Sequence, residues 1–395
     1  MISNEDQLFI IHHSEIALKK GNRSFFESRL RQAMRRAFAD IKGVRILNEY
    51  GRMFVYPPAE TDLDLLLSRL QKVIGIAEIR VAHRGSPDPD ELKQQVLEQV
   101  RNLTFESFCV DTRRADKSFP LTSVEINRLV GAEVHDRLGK RVDLRNPELT
   151  VKIEIFNRKV YFSVKSVPGE RGLPIGSTGK VLSLISSGID SPVSSFLMMK
   201  RGCSVAFVHF HSFPFTEKSS YYNAVELVKR LNIYQYQSKL YLVPLAELQR
   251  AIILSAPTKL RIVLYRRMML RLAERIAVRE GCRALITGDS LGQVASQTLP
   301  NIAAISEAVR MPILRPLIGM EKDEIIRIAR RIGTYEVSTE PYDDCCSFMA
   351  PPNPETNAGI AEVQEAEKNL GDYQALLEEA LAKTEIRRFC YPEAS

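Results

Sequence analysis

The chain has 395 residues, 45% of them hydrophobic and 26% charged, with 55 Lys and Arg against 48 Asp and Glu. That length allows two or three domains with substantial cores, and the composition excludes a disordered or fibrous chain. No apolar stretch is long enough to span a bilayer. The acidic start Met1-Ile2-Ser3-Asn4-Glu5-Asp6 is no signal peptide, so a cytoplasmic protein with six reduced thiols is expected.

Residues 1–180 carry a net charge of +6 and the remainder +1. A basic front half beside a nearly neutral back half suggests a polyanionic partner held by the front, although a solvated basic surface has the same composition.

Residues 1–82 predict one domain of order β-α-β-β-α-β. Leu8-Phe9-Ile10-Ile11 is a strand, and Phe26, Leu30, Met34 and Phe38 recur at helical spacing. A hairpin over 44–56, a helix over 63–73 and a strand over 76–81 complete a ferredoxin-like order. Lys19, Lys20 and Arg23 flank Gly21-Asn22. They either contact a phosphate backbone or form a charged loop with Asn22 capping the next helix.

Pro87-Asp88-Pro89-Asp90 starts a helix, and residues 83–167 then read helix, strand, helix, strand, strand. This succession resembles the THUMP domain, an RNA-binding module of tRNA-modifying enzymes. Arg113, Arg114, Lys117, Lys140 and Arg141 are its candidate phosphate contacts, expected to form one groove beside Phe119 that suits a single-stranded end.

Residues 168–180, with four glycines and two prolines, are linker-like. From 181 to 395 the pattern is a parallel-sheet α/β domain with its site at the carboxyl ends of the strands. Its first unit is Val181-Leu182-Ser183-Leu184-Ile185, then Ser186-Ser187-Gly188-Ile189-Asp190-Ser191-Pro192, then an amphipathic run to Arg201. A strand, tight loop and helix N-terminus form a phosphate site. Gly176-Ser177-Thr178-Gly179-Lys180 is no Walker loop, since it precedes the strand and Val181 follows the lysine.

The loop resembles the PP-loop of ATP pyrophosphatases, Ser-Gly-Gly-x-Asp-Ser, with Ser187 in place of the first glycine. Serine costs backbone freedom there if the position needs a positive φ. His209 and His211 share a strand face, but no third ligand of matching spacing follows, which argues against zinc. A long basic helix spans 258–279, and residues 355–384 read as an outer helix pair.

Cys345 and Cys346 follow Asp343-Asp344 in a polar loop. Adjacent thiols in such a setting are sulfur carriers or nucleophiles more often than structural groups. The aspartates would raise a thiol pKa unless a cation such as Arg315 lies near. In order, Glu15-Ile16-x-Leu18-Lys19, Asn22-Arg23, Ser187-Gly188-Ile189-Asp190-Ser191-Pro192, His209-Phe210-His211-Ser212, Gly288-Asp289-Ser290-Leu291-Gly292-Gln293-Val294-Ala295-Ser296-Gln297-Thr298 and Cys345-Cys346 resemble the tRNA 4-thiouridine synthetase (tRNA sulfurtransferase, ThiI) family over the whole chain.

The resemblance implies ATP and Mg2+, with nucleotide contacts at Leu184, Ile185, His209, Phe210, Arg266, Gly288 and Gln297, loop contacts at Ser186, Ser187, Gly188 and Ser191, and Asp190 at the Mg2+–pyrophosphate end. It implies adenylation of the position-eight uridine of tRNA at O4, then attack by a cysteine persulfide loaded by a cysteine desulfurase. Cys345 or Cys346 matches the sulfur-transferring position, Cys345 being taken first, with the neighbouring thiol or Cys390 resolving the transfer. Too few residues follow Cys346 for the rhodanese-like domain that some members carry, so a short form is expected. The family also implies a homodimer. Two alternatives are a sulfur-carrier protein of thiamine thiazole synthesis as acceptor, and a non-catalytic tRNA-binding protein with a degenerate PP-loop.

Overall fold

The computed structural model describes residues 7–19, 21–49, 52–341 and 351–392. It divides into two compact units, Met1–Gly172 and Leu173–Ser395. The division falls within the segment read as a linker.

In the first unit the order is β1 (Gln7–His12), α1 (Arg23–Ala37), β2 (Arg45–Glu49), β3 (Arg52–Tyr56), α2 (Leu63–Lys72), β4 (Glu78–Gly85), α3 (Pro89–Val100), β5 (Ser107–Arg114), α4 (Ser123–Leu138), β6 (Arg141–Val142), β7 (Leu149–Phe156) and β8 (Lys159–Pro168). The strands form one eight-stranded sheet, β2-β3-β1-β4-β8-β7-β5-β6. The ferredoxin-like quartet and the strands that follow it are thus joined edge to edge through the antiparallel β4–β8 pair. On α1 the predicted stripe Phe26, Leu30 and Met34 is buried. Asn22 precedes that helix without a side-chain cap, whereas the Asp88 carboxylate accepts from the amides of Asp90 and Glu91 at 3.0 Å each and starts α3.

The second unit runs β9 (Lys180–Leu184), α5 (Asp190–Lys200), β10 (Ser204–His211), α6 (Ser219–Gln235), β11 (Gln237–Pro244), α7 (Ala246–Ser255), α8 (Arg261–Arg279), β12 (Leu285–Ile286), α9 (Leu299–Ser306), β13 (Ile313–Leu314), α10 (Lys322–Arg331), α11 (Tyr335–Thr339), α12 (Ile360–Lys368), α13 (Tyr373–Ala382) and β14 (Glu385–Cys390). Its sheet has the order β13-β12-β9-β10-β11-β14. The first five are parallel, and β14 joins β11 antiparallel at the edge. The chain leaves β9 to one side for β10 and β11 and returns to its other side for β12 and β13. That reversal opens a crevice at the carboxyl ends of β9 and β12, where such sheets bind ligands.

One expectation needs correction. The last helices are not merely an outer layer, because Val363, Ala366, Leu377 and Ala380 belong to the same apolar core as Leu182, Val208 and Leu285. The expected parallel sheet is present, with one antiparallel strand added at its edge. Strand β14 was not expected, since its run Glu385-Ile386-Arg387-Arg388-Phe389-Cys390 has one solvent-facing edge and too few apolar residues to stand out.

Candidate active site

The crevice holds a cavity of about 250 Å3 at the end of β9. Its floor is the loop from β9 to α5. The Ser186 amide donates to Ser191 Oγ at 2.9 Å, and the Ser191 hydroxyl donates to the Ser186 carbonyl at 3.2 Å. The Gly188 amide donates to Ser186 Oγ at 3.3 Å. The two serines fold the loop back onto the first turn of α5, and a helix start carries unpaired amides and the positive end of the dipole.

The opposite wall comes from β12. Gly288 lies so close to α5 that a Cβ there would stand 2.8 Å from the Ser191 nitrogen, tighter than real contacts allow. Glycine is required by this approach and not by its φ. Ser194, buried in α5, donates to the Thr287 carbonyl at 2.8 Å and holds the two elements in place.

Asp289 is 2% exposed. Burial would raise its carboxyl, but Arg266, Thr287 and Arg315 outweigh that and hold it below the usual carboxylate range. Arg266 of α8 pairs with one oxygen and Arg315 Nε lies 3.1 Å from the other. Arg266 also donates to Ser296 Oγ at 3.2 Å. Arg315, considered above as a partner for a thiolate, is therefore engaged at Asp289.

Asp190 differs. Its Oδ1 lies 2.6 Å from Lys322 Nζ at the start of α10, and its Oδ2 accepts from Gln293 at 2.9 Å. Both partners are exposed side chains, so Asp190 is the carboxylate of the cavity open to a change of partner.

His209 has burial as the main cause of a pKa pushed down to about 4, so its ring is neutral. Its Nδ1 is 3.0 Å from the Ile185 carbonyl, which requires the proton there. That leaves Nε2 as an acceptor, and it is buried without a hydrogen-bond partner, as is Gln297 Oε1. Both residues line the cavity.

The structure thus brings Leu184, Ile185, Ser186, Gly188, Asp190, Ser191, His209, Phe210, Arg266, Gly288 and Gln297 to one cavity. Ser187 does not join them. It is 1% exposed and donates its hydroxyl to the Ser220 carbonyl at 2.9 Å. Nor is it among the described residues with a positive φ, so the serine imposes no backbone strain. Sequence reasoning missed Asp289, Gln293 and Lys322. The first two sit inside the quoted Gly288–Thr298 run, while Lys322 carries no local signal. Lys20, Asp343, Asp344, Cys345 and Cys346 lie outside the described residues.

Cys390 is described, and it sits far from the cavity. It pairs in register with Gln237, the first residue of β11, and so marks the amino end of the parallel strands. Seven residues along β11 separate that level from Pro244, about 23 Å at strand rise. Cys390 therefore does not join the cavity residues, and its expected thiol partners Cys345 and Cys346 lie outside the described residues.

The expected cationic groove is also not one groove. Arg141 pairs with Ser107 at the start of β5, whereas Arg113 lies six residues further along, about 20 Å away. At the near end Lys140 Nζ is 3.2 Å from Glu106 and Arg141 is 3.5 Å from Asp143. At the far end Arg113 and Lys117 are exposed, and Arg158, which sequence reasoning missed, is exposed beside them through its amide bond to Asp116. Arg114 instead donates to the Phe119 and Leu121 carbonyls at 2.9 and 2.8 Å. Phe119 is 6% exposed within the core, so it offers no face to a base. Lys19 lies over the Phe26 ring, and Arg23 pairs with Glu27 at 2.7 Å.

Three family models match the chain: the ThiI ferredoxin-like domain over residues 8–79, the THUMP domain over 87–165, and the thiamine biosynthesis protein ThiI over 176–371. A probable tRNA sulfurtransferase of Thermus thermophilus is 42% identical over 98% of this chain and 95% of its own length. One of Moorella thermoacetica is 40% identical over 95% and 96%. Among solved structures, a 4-thiouridine synthetase–RNA complex with bound ATP superposes with a TM-score of 0.89 at 33% identity, covering 98% of this chain and all of that one.

Proposed function

The chain belongs to the ThiI family, and on that premise we propose that it is an ATP-dependent tRNA sulfurtransferase that converts the uridine at position eight of tRNA to 4-thiouridine. The observation that carries the reading is the cavity between the β9 and β12 loops, with Asp190 held by Lys322 and Gln293 at the N-terminus of α5.

Each part of ATP has chemically suitable partners there. The neutral His209 Nε2 and Gln297 Oε1 are acceptors matched to the adenine amino group. The amides at the start of α5 and the dipole of that helix suit the phosphates. Lys322 would neutralise the departing pyrophosphate. Asp190 fits Mg2+, a hard cation that takes carboxylate oxygen, because its partners Lys322 and Gln293 are exposed side chains able to turn away, whereas Asp289 is buried between Arg266, Thr287 and Arg315. Such an ion would offset charge on the leaving group.

Chemically, the uracil O4 attacks the α-phosphorus and the α–β anhydride bond breaks, releasing pyrophosphate. The terminal sulfur of a persulfide on Cys345 or Cys346 then attacks C4, and AMP leaves with the former O4. The other thiol attacks the carrier sulfur, giving a disulfide that a cellular thiol reductant reopens. A cysteine desulfurase supplies the persulfide. The exposed Arg113, Lys117 and Arg158 are the proposed phosphate contacts of the first unit, and a homodimer is the proposed assembly.

The family model's description names thiamine biosynthesis, so transfer to a sulfur-carrier protein is a second reading; the THUMP match favours RNA. The non-catalytic reading loses its one support, because Ser187 fits the loop without a positive φ. The test is 4-thiouridine formation in unmodified tRNA supplied with ATP, Mg2+, cysteine and a cysteine desulfurase. Asp190→Ala should lose activity on the order of a hundredfold, and one or both of Cys345→Ser and Cys346→Ser should abolish it. Wild type that binds tRNA but yields neither AMP nor thiouridine would return the non-catalytic reading.

A further inference from the structure

Beside the ATP cavity, at the carboxyl ends of β10 and β11, lies a second cavity of about 500 Å3. Strand β10 links the two. His209 lines the first and His211, two residues on and on the same strand face, lines the second, about 7 Å away along the backbone. The loop from β10 to α6 and the first turn of that helix present open aromatic rings. Phe213 is 46% exposed and Tyr222 59%.

These rings are held in place. Lys218 Nζ stands 4.6 Å from the centre of the Phe213 ring. Tyr221 packs edge-on against Tyr222 at 5.3 Å and donates its hydroxyl to Glu385 at 2.7 Å. His211 Nδ1 is buried with no hydrogen-bond partner, and burial, then the nearby Lys218, lowers its pKa despite Glu385, so it too offers a neutral ring. A cavity with open aromatic faces, a neutral ring nitrogen, and Lys218, Lys383 and Arg387 against Glu217 and Glu385 has the chemistry that receives an unstacked nucleotide. It does not suit an aliphatic peptide.

An enzyme that reacts at a base must first draw that base from its stack. We propose that this cavity holds the target uridine of the bound tRNA after extrusion, its base against Tyr222 and Phe213 and its phosphate beside Lys218. This rests on the tRNA reading above and adds the place where the nucleotide waits next to ATP. None of these residues lines the ATP cavity.

The experiment uses the full chain with tRNA carrying 5-iodouridine at position eight and a non-hydrolysable ATP analogue. Irradiation should cross-link the base to Phe213 or Tyr222, read by mass spectrometry. In parallel, Tyr222→Ala should lower thiolation at saturating tRNA by about tenfold, with ATP affinity within about twofold, and Tyr222→Phe should restore it. A cross-link mapping outside residues 211–222, or Phe213→Ala and Tyr222→Ala variants that thiolate within about twofold of wild type, overturns the proposal and leaves the tRNA reading standing. If wild type forms no 4-thiouridine, the tRNA reading fails and this proposal fails with it.

Discussion

Gly288, His209 and Arg114 each illustrate how one side chain, or its absence, decides a local outcome. A Cβ at Gly288 would meet backbone of α5 at 2.8 Å, and backbone cannot swing aside as a side chain can. Gly288→Ala should therefore force the two loops apart and weaken ATP binding by about tenfold or more, as measured by calorimetric titration. His209 binds no proton in the folded state until pH falls to about 4, whereas the unfolded chain takes one up near 6.5. The folded state is then favoured above 6.5, and that contribution is lost as pH falls from 6.5 towards 4. Between pH 7.5 and 5 this amounts to about 2 kcal/mol. His209→Gln should flatten that part of the stability profile in urea melts at each pH. Arg114 was expected on RNA, yet its guanidinium satisfies two carbonyls of the loop that follows β5. Arg114→Ala should lower stability by about 1–3 kcal/mol, while Lys117→Ala, from an exposed site, should leave the melting temperature unchanged.

At the scale of elements, the strand–loop–helix unit was legible because each signal in it is local. The apolar run of β9, the small residues of the loop and Pro192 in the first turn of α5 are neighbours in the chain. The Ser187 departure also looks different at this scale. Its hydroxyl ties the loop to the first turn of α6 through the Ser220 carbonyl. Restoring glycine would remove a buried hydrogen bond and add unfolded-state freedom. Ser187→Gly should thus destabilise the protein by about 1–2 kcal/mol in urea unfolding, where a reading of the loop alone expects a gain. What was not legible depends on pairing across distance. Lys322 reaches Asp190 from 132 positions along the chain, and no spacing rule connects them. Strand β14 is defined by its register with β11, and the separation of Arg113 from Arg141 by the register of β5 with β6 and β7.

For the whole molecule, the uneven charge is a coarse signal that pairing within the sheet refines. The first unit carries most of the excess, but many of its cations are already matched within the sheet. Glu154, nearly buried, is flanked by His12, Arg52 and Arg80, and Glu78 is paired with Arg80 and Lys152. These charges brace the sheet and cannot also release counterions from RNA. Cations at exposed ends can, and each phosphate they neutralise lowers affinity as salt rises. If Arg113 and Lys117 contact phosphate, replacing both with Ala should reduce the slope of log affinity against log salt by about 1 to 2. Replacing Lys140 and Arg141, which face Glu106 and Asp143 at 3.2 and 3.5 Å against 3.9 Å between Arg113 and Asp111, should change the slope less, because their charge is offset more closely. Filter binding of tRNA across a salt series separates these outcomes. A larger slope change from the Lys140 and Arg141 pair would move the RNA contact to the other end of β5.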